Sequence, residues 1–345
     1  MIFEILLTSC LATDIDDCGS GRIPVSGDLG ACRDRARVIA ANVPASAEIQ
    51  SFVCVEAGQF PELGFSEIAP GVFVHKGRYD SAPNQENRGD LANVGFVIGE
   101  ASVAVIDTGM HPWIGRAMLN AIRRETALPI SAIILTGAGP ERVLGTGPLL
   151  EDGGSVIGHH VLAETLAERA DELVRNLQDV LPDSLSPTDV VVPDDGVSGT
   201  RTISLGNREL TLTAHETGPA GYELTVLDEK SGTLFAGDLL YQRQVPALSG
   251  PPQAWIDTLK SLSELPATRA VPGHGPVAMR WPEGSGPVSR YLLTLEQDIK
   301  AEIAAGSEIE AAARRAGADE QYRWLNFDET NRRNAAIAYR ALTQE

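Results

Sequence analysis

The chain has 345 residues, a formal net charge of −19 and a hydrophobic content of 43%. This length exceeds the usual size of a single domain, and the apolar content is sufficient for a large core. The acidic balance argues against nucleic acid or anionic lipid as a partner. No membrane span is expected, because no run of about 18 consecutive apolar residues occurs.

The cysteines are confined to the start of the chain, at Cys10, Cys18, Cys32 and Cys54. An even number in a short segment is typical of local disulfides and of an oxidising compartment. Reduced core thiols are one alternative; a four-thiolate zinc site is another, although it lacks the usual Cys-x-x-Cys spacing. Residues 1–20 do not resemble a signal peptide, because Glu4 interrupts the apolar run and no basic residue precedes it. We expect a periplasmic protein, with a cytoplasmic location as the alternative.

Residues 1–62 are predicted to form a small α/β module that contains the cysteines. Apolar runs at 2–11 and 49–55 predict strands, and 33–42 predicts a short helix. The Gly- and Asp-rich stretch 14–31 is predicted to be a loop, and 58–61 a linker.

Residues 63–285 alternate between strand and helix patterns. Strands are predicted at 71–74, 92–98, 103–107 and 133–135, and in two hairpins over 202–213 and 223–236. Helices are predicted at 112–124, 161–181 and 252–265. This order indicates an α/β layered sandwich. Residues 286–345 are predicted to be a helical extension packing on it, with helices at 288–305, 308–316 and 331–342.

Residues 133–145 read Ile-Ile-Leu-Thr-Gly-Ala-Gly-Pro-Glu-Arg-Val-Leu-Gly. This stretch resembles the zinc-binding signature of the metallo-β-lactamase superfamily, Thr-His-x-His-x-Asp-His-x-x-Gly. The frame around the ligands matches, but the ligand positions hold Gly137, Gly139, Glu141 and Arg142. Glycine has no donor side chain, and arginine keeps its charge and has no lone pair to donate. The metal ligands of the signature are therefore largely lost.

Four further blocks resemble the same family, in its order, at 104–109, 216–221, 234–238 and 271–276. On this resemblance, Asp107 supports the metal loop, Asp238 takes the position that bridges two metals, and His274 is the last ligand. Pro219 occupies the position of the third histidine, and His215 could replace it only if the loop were rearranged. Five blocks in register imply a four-layer αββα sandwich.

The chain also resembles a subgroup, the quinoprotein relay system zinc metallohydrolases. The N-terminal cysteine-bearing module, residues 93–99 (Asn-Val-Gly-Phe-Val-Ile-Gly) and a set of tail residues carry this resemblance; the tail residues are Trp324, Phe327, Asn334 and Tyr339. It implies a link to periplasmic quinoprotein alcohol dehydrogenase systems. The expected partner is a small molecule, or a quinoprotein or cytochrome.

Three functions compete. The first is a pseudoenzyme without a cofactor that binds a small molecule or a protein. The second is a hydrolase that uses one labile divalent ion, zinc or iron, at Glu141, Asp238 and His274. The third is a structural component whose acidic face docks on a basic partner. We favour the first, because the imidazoles that would depress the pKa of a zinc-bound water are missing.

A separate prediction concerns the side chain of Arg142. Buried carboxylates without a metal are costly unless they are paired. We therefore expect Arg142 to form a bidentate pair with Asp238 or Glu141 and to replace the metal electrostatically. The alternative is that it points to solvent. The histidines that match no ligand position are expected to pack in a strand (His75) or at a helix start (His159 and His160).

Overall fold

The computed structural model describes residues 2–11, 14–26, 29–42, 47–56, 62–78, 87–180, 190–218 and 221–343. The strands are β1 (Ile2–Leu11), β2 (Asp14–Ser26), β3 (Ala47–Glu56), β4 (Ser66–Ala69), β5 (Val72–His75), β6 (Val94–Ile98), β7 (Val103–Ile106), β8 (Ile130–Ile134), β9 (Ser155–His159), β10 (Asp195–Val197), β11 (Thr200–Ser204), β12 (Glu209–Gly218), β13 (Gly221–Asp228), β14 (Thr233–Phe235), β15 (Arg269–Val271) and β16 (Met279–Arg280). The helices are α1 (Leu29–Ala41), α2 (Pro112–Glu125), α3 (Pro140–Val143), α4 (Leu162–Val180), α5 (Pro252–Ser263), α6 (Gly286–Ala304), α7 (Ile309–Arg315) and α8 (Phe327–Thr343).

Two large sheets face each other. Within the described ranges, one has seven strands in the order β10-β9-β8-β7-β6-β5-β4, and the other has six in the order β11 to β16. Strands β7 to β10 run parallel to one another, and so do β14 and β15. The carboxyl ends of these parallel strands lie at one end of the sandwich, where ligand sites of α/β proteins are commonly found.

Strand β7 shows why the sandwich has four layers. Val103 and Val105 pack on the outer side against helix residues, whereas Ala104 and Ile106 face the second sheet. Because successive strand residues point to opposite faces, a strand covered on both sides is apolar throughout. The predicted αββα sandwich is confirmed, with α2 and α4 outside the first sheet and α5 and α6 outside the second.

The C-terminal helices α6 to α8 pack on the outer face of the second sheet. Tyr291, Leu292 and Leu295 of α6 are fully buried there, together with Trp255 of α5. The predicted helical C-terminal segment is confirmed, although the domain boundaries at 62 and 285 stay a prediction. No helix in the ranges that the structure describes is long and apolar enough to cross a bilayer.

The N-terminal module is a three-stranded antiparallel sheet, β2-β1-β3, with α1. The strands predicted at 2–11 and 49–55 are confirmed. The loop predicted over 14–31 is wrong, because Asp14–Ser26 is a strand paired along the whole of β1. Pairing with β1 satisfies the backbone of this Gly- and Asp-rich segment despite its poor intrinsic preference for strands. The linker predicted at 58–61 lies outside the described residues.

The cysteines lie on the three strands and the helix of this module. Cys10 and Cys18 are opposite each other in β1 and β2, and Cys32 of α1 has no exposed surface. Among the described residues, no cysteine is a free thiol. The side chains of Cys10, Cys18 and Cys54 lie outside the described set, so the disulfide pairing stays a prediction.

Candidate functional site

The predicted site residues meet at the carboxyl ends of the parallel strands. Asp107 follows β7, the loop that bears Arg142 follows β8, Asp238 follows β14, and His274 follows β15. The structure therefore brings together residues from both sheets that lie up to 167 positions apart in the sequence, counted from Asp107 to His274.

Arg142 lies at the centre of the site and has no exposed surface. The one-turn helix α3, which begins at Pro140, directs its side chain inward. Its Nη1 donates to Asp107 Oδ2 at 3.1 Å, and its Nη2 donates to Asp238 Oδ1. The expected pair with Asp238 is present. The expected bidentate geometry is wrong, because the two nitrogens bind two different carboxylates, one from each sheet.

Asp107 is positioned by its own backbone conformation and by Thr136, in addition to its bond with Arg142. Its backbone is left-handed, with φ 57°, a conformation that is uncommon for residues other than glycine. Its carboxylate accepts hydrogen bonds from Thr136 N at 2.8 Å and from Thr136 Oγ1. Burial raises the pKa of Asp107 to about 6, and the opposing effects of Arg142 and Thr136 are too small to cancel this. Asp107 is thus a partner of the arginine as well as a support of the loop.

Carboxyl groups fill the space at the two glycines. An ideal Cβ on Gly137 would lie 3.1 Å from Glu223 Oε2, and one on Gly139 would lie 2.7 Å from Glu141 Oε1. A side chain at either position would require the neighbouring carboxyl group to move. Glu223 was not predicted as a site residue from the sequence. Its only signal there is a single charge at the start of an otherwise apolar strand.

Glu223 forms no salt bridge with any residue that the structure describes. Its Oε2 is buried and has no hydrogen-bond partner among the residues described. Burial, and then the negative charge of Asp238, raise the pKa of Glu223 well above its ordinary value, although Arg142 opposes the shift. A proton on this carboxyl relieves the crowding of negative charge around Arg142.

Glu141, Asp238 and His274 converge beside the arginine. Nε2 of His274 lies 3.8 Å from Glu141 Oε1 and 3.5 Å from Asp238 Oδ1. Burial raises the pKa of Glu141, but the nearby imidazole of His274 and the charge of Arg142 outweigh it and lower the pKa to about 2. The ring of His274 stacks on Tyr241, with ring centroids 5.1 Å apart and an interplanar angle of 16°.

These residues do not fit a two-zinc centre. Zinc centres need several imidazole, thiolate or carboxylate donors around each ion, and His274 is the one imidazole that the structure describes here. Asp238 Oδ1, which would have to bridge, accepts a hydrogen bond from the Arg142 guanidinium instead. His215 does not take the third position, because its Nε2 bonds to Thr225 Oγ1 at 2.9 Å. Pro219 lies outside the described residues.

The remaining histidines have structural contacts. His75 of β5 lies between Asp90, at 2.9 Å, and the carbonyl of Gly64, at 2.8 Å. His159 accepts a hydrogen bond from Val161 N, which leads into α4. His111 caps α2 by accepting from Trp113 N at 3.1 Å. The packing roles predicted for His75 and His159 are confirmed.

The architecture and site define an αββα sandwich with an arginine-centred ion cluster at the carboxyl ends of its parallel strands. The family model of the metallo-β-lactamase superfamily matches residues 87–274, more than half of the chain. The protein therefore belongs to the metallo-β-lactamase superfamily. No curated protein sequence matches the chain.

Solved structures share the fold at low identity. A metallo-β-lactamase from Pontibacter korlensis is 18% identical, with a TM-score of 0.54, covering 67% of this chain and 99% of its own. The β-lactamase TMB-1 is also 18% identical, with a TM-score of 0.51 and coverage of 68% and 98%. The sec-alkylsulfatase Pisa1 from Pseudomonas sp. is 16% identical, with a TM-score of 0.58, and covers 81% of this chain but 50% of its own.

Proposed function

We propose that this protein has exchanged two-zinc hydrolysis for a metal-free ion cluster, and that it acts by binding a small molecule or a protein partner. The observation that carries the proposal is the fully buried Arg142 bonded to both Asp107 and Asp238. A guanidinium cannot donate to a metal, and it neutralises the carboxylate that a metal pair would share.

Electrostatics opposes a cation in the same place. Two unit charges about 4 Å apart interact by about 4 kcal/mol at an effective dielectric constant of about 20, and a dication near a fixed guanidinium doubles that repulsion. Zinc hydrolases depend on a metal that lowers the pKa of bound water to about 7. If the metal is excluded, the metal-bound water that carries out hydrolysis in the superfamily is missing from this site.

Zinc titration of Arg142→His, with wild type alongside, tests the proposal. We expect no saturable zinc binding to wild type in the low micromolar range. Arg142→His removes the fixed cation and adds an imidazole beside Asp238, so it should gain one site. Hydrolysis assays with a β-lactam and a sec-alkyl sulfate, the substrate types named in the related structures, should stay at background in wild type. Zinc-dependent turnover by wild type would contradict the proposal.

A single metal ion is the second candidate. Glu141, Asp238 and His274 each offer one donor atom, and these atoms lie within 4.8 Å of one another. Two carboxylates and one imidazole form an open site of the kind that supports a metal-dependent hydrolase. Absorption of the cobalt-loaded protein distinguishes the candidates: a d–d band that is lost in His274→Ala would favour the metal.

We also propose that the protein works in the periplasm as an accessory of a quinoprotein dehydrogenase system. The sequence resemblance to the quinoprotein relay subgroup and the clustered cysteines support this. Cell fractionation of the native host tests the location, and co-purification with a quinoprotein or its cytochrome tests the partner. Recovery in the cytoplasmic fraction would contradict the first part, and absence of both proteins from the purified complex would contradict the second.

A further inference from the structure

One residue of the C-terminal segment contacts a loop that borders the candidate site. Asn334 of α8 is 1% exposed. Its Oδ1 accepts a hydrogen bond from Leu248 N at 3.0 Å, and its Nδ2 donates to Pro246 O at 2.7 Å and to Tyr291 Oη at 2.9 Å. The side-chain amide thus ties α8 and α6 to the loop of residues 241–250, which we call the wall loop.

A second contact joins the wall loop to the C-terminal segment. Gln244 pairs with Leu325 in an isolated parallel bridge, and Leu325 N donates to Arg243 O at 2.5 Å. Arg243 has φ 72° and Asn326 has φ 53°, so both backbones adopt left-handed conformations beside this contact. Such conformations are costly for residues other than glycine and persist where the surrounding structure enforces them.

The wall loop in turn borders the candidate site. Tyr241, its first residue, stacks on His274, and Gln242 N donates to His274 O at 3.0 Å. At its other end, the loop packs closely on the hairpin of β12 and β13. An ideal Cβ on Gly218 would lie only 2.7 Å from Gly250 N. The wall loop therefore spans from His274 to the hairpin of β12 and β13.

We infer that Asn334 is a positioning residue for the wall loop, and that the C-terminal segment is an integral part of the site. Precise placement of site groups depends on neighbours that lock their supporting elements. The inference goes beyond the proposed function and does not rest on it, because the wall loop contacts His274 whether the site binds a metal ion or another ligand.

A matched pair of variants tests this inference. Asn331, one turn earlier on α8, is 5% exposed; it accepts a hydrogen bond from Tyr291 Oη at 2.9 Å and donates to Ala316 O at 2.8 Å. Asn331→Leu and Asn334→Leu each remove a buried amide bonded to Tyr291, and only the second removes bonds to the wall loop. The readouts are amide hydrogen exchange by peptide mass spectrometry and the imidazole nitrogen shifts of His274 by NMR.

In Asn334→Leu, we expect exchange in residues 241–250 to rise at least about tenfold, because two buried hydrogen bonds to the loop are lost, and the His274 signals to move. Asn331→Leu should leave both at their wild-type values. Equal changes in the two variants, or an unchanged wall loop in folded Asn334→Leu, would overturn the inference. If Asn334→Leu does not fold, Asn334→Asp keeps the acceptor for Leu248 and loses the donor to Pro246. It is then judged by the same two outcomes.

Discussion

Two buried arginines connect the sheets at opposite ends of the sandwich, and their bonding differs. Arg208 meets one carboxylate, Asp228, through Nε at 2.9 Å and Nη2 at 2.6 Å, and its Nη1 donates to the carbonyls of Pro70 and Ile98. Arg142 meets two carboxylates with one nitrogen each, and its Nε has no partner among the residues described.

The pKa shifts of the acids around the two arginines also differ. Burial raises the pKa of Asp228, but the hydrogen bonds from Arg208 and Ser231 outweigh it and lower the pKa. Around Arg142, the pKa of Asp107 is raised to about 6 and that of Glu223 is raised well above its ordinary value. In the pair of Arg208 and Asp228, one guanidinium neutralises one carboxylate. The cluster around Arg142 instead has more acids than its single guanidinium can neutralise.

The largest effect is expected from Arg208→Met. Removing one partner of a buried pair leaves Asp228, which is 0% exposed, without its cationic partner, and should cost roughly 3–5 kcal/mol of unfolding free energy. Arg201→Met is the control, because its ion pair with Asp195 is partly exposed, at 34% and 39% of the two side chains, and should be worth less than about 1 kcal/mol. Urea denaturation measures both. Equal losses of unfolding free energy would contradict the expectation that the buried ion pair contributes more stability than the partly exposed one.

Asp107→Asn should change the pH dependence of stability. The folded pKa of about 6 lies above the ordinary value of 3.8, so the stabilisation is present below about pH 4 and is lost as the pH rises through 6. The loss amounts to roughly 3 kcal/mol, which Asp107→Asn should abolish. Asp228→Asn should act in the opposite range and flatten the decline of stability at acidic pH. Denaturation measured from about pH 2.5 to 7.5 tests both variants, and an unchanged slope for Asp107→Asn would contradict the raised pKa that burial gives Asp107.

Arg142→Met should cost less than Arg208→Met, about 2 kcal/mol at pH 7.5. The exposed fraction of the Asp238 side chain is 19%, and Asp107 readily takes up a proton, so both acids can relieve the missing charge. The cost should shrink at pH 5, where Asp107 is protonated in the folded state. A cost that is independent of pH and equal to that of Arg208→Met would show that the two ion pairs are equivalent.

The smallest effect is expected from Gly139→Ala. Its backbone, with φ −62° and ψ 139°, suits alanine, so the cost comes from the approach of the new Cβ to Glu141 Oε1. About 1 kcal/mol is expected, and the Glu141→Ala background should remove it. Gly147→Ala is the control, because nothing lies within 4 Å of its Cβ. A neutral Gly139→Ala would mean that the carboxyl of Glu141 does not fill this space.

The sequence predicted the fold well because five short blocks fall in register along one chain. It also predicted that Arg142 would pair with Asp238 or Glu141, and the pair with Asp238 is present because the retained frame places both residues at the same end of the sandwich. Two features could not be read from local patterns. Glu223 carries no motif, since its importance arises only where β13 passes over Gly137. The strand Asp14–Ser26 depends on β1, and neither its composition nor its periodicity indicates that pairing.

The bidentate prediction failed for a related reason. Asp107 was expected to support the loop, and its left-handed backbone turns its carboxylate toward the arginine as well. Which nitrogen binds which oxygen depends on the relative position of the two sheets, and residue spacing does not contain that information.

The most direct measurement is diffraction at the zinc absorption edge from crystals soaked in zinc. The predicted result is Arg142 guanidinium density between Asp107 and Asp238, with no anomalous peak at the site. A strong anomalous peak between Asp238 and His274, with the guanidinium displaced, would contradict the replacement of the metal by arginine.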